Sequence, residues 1–188
     1  MKPSRTEITR DRIHNVVNTT LDSLQQSMGD IDPAFRVERF GEKIPIGILQ
    51  AISAATIQSK YMVNRTVEDI EKKFEKKNMF VVVFKEESMV AFVILKHRPS
   101  RIGLQNKVVS SPRDLNISQL YVNPNFRRRG IAKSMVEWVL RVGKQAGCVP
   151  RGMPKRGNVA MHGLYRQLGF TDEGTNGRGT YTRYSSIM

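Results

Sequence analysis

Residues 115–146 carry the pattern that most restricts how this chain can fold. An apolar, strand-like run, Leu115-Asn-Ile-Ser-Gln-Leu-Tyr-Val122, is followed by the turn Asn123-Pro-Asn-Phe126 and then by Arg127, Arg128, Arg129 and Gly130. The next residues predict a helix from Ile131 to about Ala146: Ala132, Met135, Val136 and Val139 form one stripe, widened by Ile131, Trp138 and Val142, with Lys133, Glu137 and Arg141 opposite. The chain must therefore leave a strand and enter a helix through a short basic loop. The first N–H groups of a helix have no intrahelical partner, and the positive end of the helix dipole lies behind them. Such a corner is a ready site for an anion. Gly130 lets main chain approach a phosphate closely because no Cβ intervenes. Ala132 keeps the first helical turn narrow, and the arginines offer forked donors that suit phosphate oxygens.

A second block, Asn158-Val-Ala-Met-His-Gly-Leu-Tyr-Arg-Gln-Leu-Gly-Phe170, reads as a helix over about 158–168 that buries Met161, Leu164, Tyr165 and Leu168 and is capped by Gly169. The first block, as Arg127-x-x-Gly130-x-Ala132, is similar to the Arg/Gln-x-x-Gly-x-Gly/Ala loop of the GNAT family of N-acetyltransferases. Leu120 to Ala132 reads as that family's fourth strand, turn and third helix. The second block resembles the family's Asn-x-x-Ala-x-x-x-(Phe/Tyr)-Tyr-x-x-x-Gly-Phe signature, with small departures in spacing. The resemblance spans about residues 35–185, and its specific motifs lie within 115–170.

The resemblance implies an α+β fold, layered as helix, sheet and helix. Its sheet is mixed, mostly antiparallel, of six to seven strands, and splays between the fourth and fifth. It also implies transfer of an acetyl group from acetyl-CoA to a primary amine. On that reading, coenzyme A is held by the main chain at Leu120, Tyr121 and Val122, by Arg127, Arg128, Arg129, Gly130, Ile131 and Ala132, and by Asn158. Arg127, Arg129 and Gly130 take the pyrophosphate, and Arg128 is free to point outward. One N–H of the strand serves as donor to the thioester carbonyl. Tyr165 lies seven residues after Asn158, about two helical turns, so both project to one side. It is the candidate acid for the departing sulfur. A core tyrosine and a helix N-cap are the competing readings of Tyr165 and Asn158.

One gap stands out. The family often carries a glutamate near the position of Gln119, and a glutamine cannot accept a proton. A lysine-like amine, with a pKa near ~10.4, must lose one to react. A water chain, a base from the first helices, His97 and His162 are alternatives, as is an acceptor such as an α-amine, with a pKa near ~8. The glutamine also keeps open an inert fold that binds coenzyme A as an interaction subunit. Cys148, following Gly147 into a strand, reads as a core thiol rather than a nucleophile. No cluster has metal-ligand spacing.

Composition bounds the rest. The 188 residues, 39% of them hydrophobic, suffice for one good core. The single cysteine fits a reducing compartment. No apolar segment opens the chain, and the longest apolar runs fall far short of the ~20 residues of a spanning helix. A soluble cytoplasmic protein with no membrane association is expected. The net charge of +14 is lopsided: residues 1–94 hold 14 Lys+Arg against 13 Asp+Glu, residues 95–188 hold 17 against 4. This excess surpasses what one coenzyme requires. It points to a nucleic acid or other acidic macromolecule as partner, or equally to a basic, soluble surface. A basic nucleic-acid-associated protein that modifies or binds nucleic acid, aminoacyl-tRNA or a bound protein is the rival function.

Elsewhere, residues 6–28 predict an amphipathic helix within an N-terminal extension, 1–33, set apart from the domain at 34–188. That helix could pack on the domain, form a homodimer or dock a partner. Phe35–Phe40 reads as a strand, Pro45 opens a helix to about Ser59, and Thr66-Val-Glu-Asp69 has the form of a capping box. Met79–Phe84 and Met89–Leu95 read as a hairpin, residues 96–113 as a long basic loop, Cys148–Pro150 as a weak strand, Gly174–Gly179 as a glycine-rich loop, and Thr180–Tyr184 as a final strand.

Overall fold

A computed structural model describes residues 5–41, 43–75, 78–98, 101–102, 109–110, 113–175 and 179–186. In chain order the elements are α1 (Arg5–Gly29), β1 (Phe35–Phe40), α2 (Ile46–Gln58), α3 (Val67–Glu75), β2 (Met79–Lys85), β3 (Ser88–Arg98), β4 (Arg101–Ile102), β5 (Val109–Ser110) and β6 (Arg113–Val122). A 3-10 turn (Pro124–Phe126) follows, then α4 (Ile131–Ala146), β7 (Cys148–Gly152), α5 (Val159–Gln167), β8 (Phe170–Thr175) and β9 (Thr182–Ser186). Seven strands form one sheet in the order β1-β2-β3-β6-β7-β9-β8, and β4 with β5 forms a small separate ribbon. Every pairing in the main sheet is antiparallel except β6 with β7. This is the mixed, mostly antiparallel α+β sheet of six to seven strands expected from the sequence.

The unbroken apolar run of β2 follows from its place in the sheet. Met79, Val81 and Val83 face one core with α1 and α4, while Phe80, Val82 and Phe84 face a second core with α2 and α3. A strand covered on both faces loses the alternation of a half-exposed one. Helix α1 is part of the first core: Ile13, Val17, Leu24 and Met28 are fully buried there. The Trp138 indole N–H of α4 donates to the Thr20 carbonyl (3.2 Å) and hydroxyl (3.0 Å), so a bulky buried donor is satisfied by α1. Helix α3 opens on the expected capping box, with Asp69 N–H donating to Thr66 Oγ1 (3.2 Å) and Thr66 N–H to Asp69 Oδ2 (3.4 Å).

Three stretches differ from expectation. Strand β8 was not foreseen, because Phe170 is its one buried residue and Thr171–Thr175 are exposed. The basic loop at 96–113 is shorter, since β3 runs to Arg98, β6 starts at Arg113, and β4 and β5 pair between them; the rest of that loop lies outside the described residues. The last strand begins at Thr182 rather than 180, because Tyr181 forms a lone bridge to Lys155. Part of the glycine-rich loop, 176–178, also lies outside the described residues. Among the described residues no helix is long and apolar enough to cross a membrane.

Candidate active site at a split in the sheet

The site begins where two neighbouring strands part. β6 pairs with β7 only from Arg113 to Ile117, opposite Cys148 to Gly152. Beyond Ile117 no strand among the described residues lies against the β7 side of β6. Asn123 N–H donates to the Val90 carbonyl of β3 (2.8 Å). Alternation along the strand then turns Tyr121 toward β3, and Leu120 and Val122 toward the open edge. A cavity of about 870 Å3 fills the split, and Ile117 through Val122 line it. A second tie fixes this edge: Arg127 Nε donates to the Val122 carbonyl (3.0 Å).

The turn after β6 delivers the chain into α4 with its amides unspent. Asn123 Oδ1 accepts from Asn125 N–H (3.1 Å), and Arg127 N–H is taken by the Pro124 carbonyl (3.3 Å). The next main-chain N–H with an acceptor is that of Ser134, on the Gly130 carbonyl (2.9 Å). Between them, from Arg128 to Lys133, no N–H has an acceptor among the described residues. Gly130 sits at φ 89°, which explains why glycine is required there, and Arg128 takes φ 63° without being glycine. A non-glycine residue in that region costs about 1–2 kcal/mol, so the turn holds strain at the cavity rim.

This turn exchanges two of the expected arginines. Arg127 and Arg128 line the cavity, together with Gly130, Ile131 and Ala132. Arg129 instead lies over the Phe126 ring, 5.3 Å from its centroid, with NH2 donating to the Asn125 carbonyl (3.5 Å). Arg129 was expected to face the anion and Arg128 to point outward; in the structure Arg128 lines the cavity and Arg129 does not.

Helix α5 forms the opposite wall. Asn158 caps it, accepting from Met161 N–H (3.3 Å), so its side-chain NH2 remains for a ligand. Tyr165 lines the cavity yet is almost fully buried. Its ring sits 4.8 Å from Phe170 and 5.3 Å from Tyr184. Burial raises its phenol pKa well above the ordinary value, which keeps the proton on the oxygen. The ring presses on Gly152, the last β7 residue before the split: a Cβ there would lie 2.3 Å from Oη and Cζ. Tyr121, also at the wall, stacks on Phe92 (5.5 Å), and burial raises its pKa against the pull of Arg127.

The other candidates lie elsewhere. His162 Nε2 is 3.1 Å from the Lys155 carbonyl, which can only accept, so Nε2 carries the proton and Nδ1 accepts from the Tyr184 hydroxyl (3.0 Å). Both nitrogens are thereby used. His97 and Cys148 do not line the cavity, and Cys148 is fully buried in the core. Glu137 pairs with Lys133 across one helical turn (3.9 Å). Among the described residues no group of His, Cys, Asp and Glu could hold a metal ion.

The end of the cavity away from the basic loop was not legible in the motifs. The loop after α2 contributes Ser59, Tyr61, Met62 and Arg65, α3 contributes Lys73, and Lys155 reaches across from beyond β7. Lys155 Nζ donates to the Lys60 (3.3 Å) and Met62 (3.2 Å) carbonyls, fastening that loop. The pKa of Lys73 is pushed down to about 8, first by burial and then by Arg65 and Lys96, with Asp69 opposing. Lys73 follows the buried Ile70 by three residues, so it borders the apolar stripe of α3, the one sequence signal that could have marked it.

Comparison with known proteins agrees with this architecture. Residues 49–170 match the family described as Acetyltransferase (GNAT) family, so the chain belongs to it. No curated protein sequence matches the chain. Among solved structures, Arabidopsis thaliana Naa50 in complex with the bisubstrate analogue CoA-Ac-MVNAL superposes with a TM-score of 0.60 at 14% identity, covering 81% of this chain and 99% of that one. The PaiA N-acetyltransferase of Thermoplasma acidophilum, in complex with coenzyme A, gives 0.56 at 16% identity over 81% and 99%. The ribosomal-protein-S18-alanine N-acetyltransferase of Escherichia coli gives 0.54 at 14% over 81% and 96%. At these identities the likeness speaks for the fold. Family membership makes the chain an acetyl-CoA-dependent N-acetyltransferase.

The residues present suit coenzyme A. The unspent N–H groups from Arg128 to Lys133 and the cations Arg127 and Arg128 match a diphosphate, and the open β6 edge offers hydrogen bonds to an extended amide-bearing arm.

Proposed function

We propose that the split between β6 and β7 is where an acetyl group passes to a primary amine, with Tyr165 as the general acid. Bound acetyl-CoA supplies an acetyl group on a C–S bond that breaks as the C–N bond of the amide forms. The N–H groups from Arg128 to Lys133 and the Arg127 and Arg128 side chains bind the diphosphate. Leu120 and Val122 offer N–H groups to the arm, and the Asn158 NH2 orients it. Tyr165 holds a proton on Oη for the departing thiolate, and the proton shed by the acylated nitrogen returns to the phenolate through water. The observation that carries this reading is the unpaired β6 edge facing a buried, protonated Tyr165 across one cavity.

No carboxylate lines the cavity among the described residues, and Gln119 cannot act as a base. The cations of the wall offer another route. Arg65, Lys73 and Lys155 disfavour a further positive charge, so a bound ammonium is driven toward the neutral, nucleophilic form. An α-amine, with a pKa near ~8, needs least of this help.

Replacing Tyr165 by Phe tests the assignment. Turnover should fall about 100-fold or more, the range of general acid catalysis, while the coenzyme A dissociation constant stays within about twofold. An unchanged rate would return Tyr165 to a packing role.

A further inference from the structure

The cations on the wall opposite the phosphate-binding loop can also act on an acceptor by holding an anion. Among the described residues, the six charged ones lining the cavity are all basic: Arg65, Lys73, Arg127, Arg128, Lys133 and Lys155. Arg127, Arg128 and Lys133 belong to the coenzyme end, and Lys155 is fastened to the Lys60 and Met62 carbonyls. Arg65 and Lys73 remain. The fold holds Arg65 firmly: Ser53 Oγ donates to its carbonyl (2.7 Å), and its N–H donates to Thr56 Oγ1 (3.0 Å), both from α2. Its side-chain Nε is buried with no hydrogen-bond partner among the described residues. Neither Arg65 nor Lys73 pairs with a carboxylate there. Where this protein needs a neutralised cation it makes one, since Arg151 bonds to both Asp114 (2.7 Å) and Glu173 (2.5 Å). Two half-buried cations left side by side on a cavity wall repel each other, and an anion in the cavity relieves both.

A second, independent feature lies on the same wall. Gln119 is 8% exposed, and its Oε1 is buried without a donor among the described residues. A buried carbonyl oxygen without a partner is unfavourable, and the N–H of an amine is its complement. Arg65 and Lys73 thus present donors for an anion, and Gln119 an acceptor for an amine.

We propose that the acceptor is an amine bearing a carboxylate or phosphate of its own, the anion seated against Arg65 and Lys73 and the nitrogen against Gln119. The inference rests on the reading of this cavity as the transfer site, and it deepens that reading. Polyamines and lysine-rich peptides are disfavoured, because they bring positive charge to a wall whose charged residues, among those described, are all cations.

The test follows release of the coenzyme A thiol by the full chain. The amine probes are L-glutamate, glucosamine 6-phosphate, glycinamide and spermidine. At least one anionic amine should exceed spermidine tenfold or more in kcat/KM, and the two anionic probes separate carboxylate from phosphate. Arg65→Glu should erase that advantage, and Arg65→Gln should reduce it. Thermal melting with coenzyme A checks that both variants fold. In parallel, glutarate and inorganic phosphate are titrated calorimetrically into the coenzyme-A-loaded protein. At least one should bind in a manner that weakens with salt and with Arg65→Gln. Equal or better transfer to spermidine, with a ratio that Arg65→Glu leaves unchanged, overturns the anionic acceptor. Transfer to no amine, with phosphate or glutarate still bound through Arg65, ends the transfer reading and keeps the anion seat. Failure of both titrations removes the seat whatever the turnover.

Discussion

The two ends of the cavity attract negative charge by different physics. The end we assign to the coenzyme is mostly main chain from one stretch, Leu120 to Lys133, where a strand edge, a strained turn and a helix start expose N–H groups that no acceptor among the described residues uses. The acceptor end is made of side chains drawn together from the loop after α2, from α3, β6 and the segment after β7. Main-chain dipoles carry no net charge and need no counter-ion, so they can be left open at little cost. Side-chain cations in a wall lose solvent and repel one another: burial first, and then Arg65 and Lys96, push the pKa of Lys73 down. The first kind of site can serve any protein that folds the same corner; the second can be changed residue by residue and suits the task of choosing an acceptor.

The comparison can be broken most severely from outside the cavity. Helix α4 presents the coenzyme end, and it is braced on α1 through Trp138 and Thr20. Trp138→Ala leaves a large void and orphans the Thr20 acceptors, so unfolding in urea should show a loss of about 3–5 kcal/mol. A loss under about 1 kcal/mol would mean that α1 is not the brace. Gly152→Ala strikes the point where both ends meet. Its new Cβ would lie 2.3 Å from the Tyr165 Oη, and a buried ring has little room to retreat. About 1–3 kcal/mol of stability should go. Turnover should fall as the phenol shifts, while coenzyme A affinity changes far less. Equal losses of turnover and affinity would show that the two ends do not act separately.

How much the sequence disclosed follows the same divide. The strand, turn and helix at 115–146 were readable because their chemistry is local: glycine at positive φ, an apolar stripe of period 3.6, and amides at a helix start. The capping box at Thr66 and the hairpin of β2 and β3 were readable for the same reason. β8 was not, because exposed strands have no apolar alternation. The positions of Arg128 and Arg129 relative to the cavity were not legible, because the φ of a single non-glycine residue is set by the turn around it, not by its own identity. Arg65, Lys73 and Gly152 were missed because their roles exist only through tertiary proximity. Gln119 was noticed as a missing base, and the fold adds what the sequence lacked: its carbonyl oxygen is buried and unmatched.

The smallest effect is the most specific to the acceptor end. Lys73 titrates near 8 in the folded chain, against an ordinary value of 10.5. Between these values the unfolded chain binds the proton and the folded chain does not, so stability rises with pH across that window. Below pH 8 both states are charged and folding bears the full penalty of burying the Lys73 ammonium and, second, of crowding it against Arg65 and Lys96, with Asp69 offsetting part of it. Lys73→Met should therefore be more stable than the parent at pH 7, and the difference should shrink as pH rises toward 10, in paired urea titrations. Solvent screening keeps this effect small, because Lys73 is only half-buried. An anion seated on the wall reverses the balance by favouring charged Lys73. Binding of inorganic phosphate or glutarate at pH 8 should then draw in a proton, visible as a binding enthalpy that changes with the ionisation enthalpy of the buffer. The uptake should vanish in Lys73→Met. Phosphate that binds at pH 8 with no proton uptake would place the anion away from Lys73 and leave Arg65 to hold it alone.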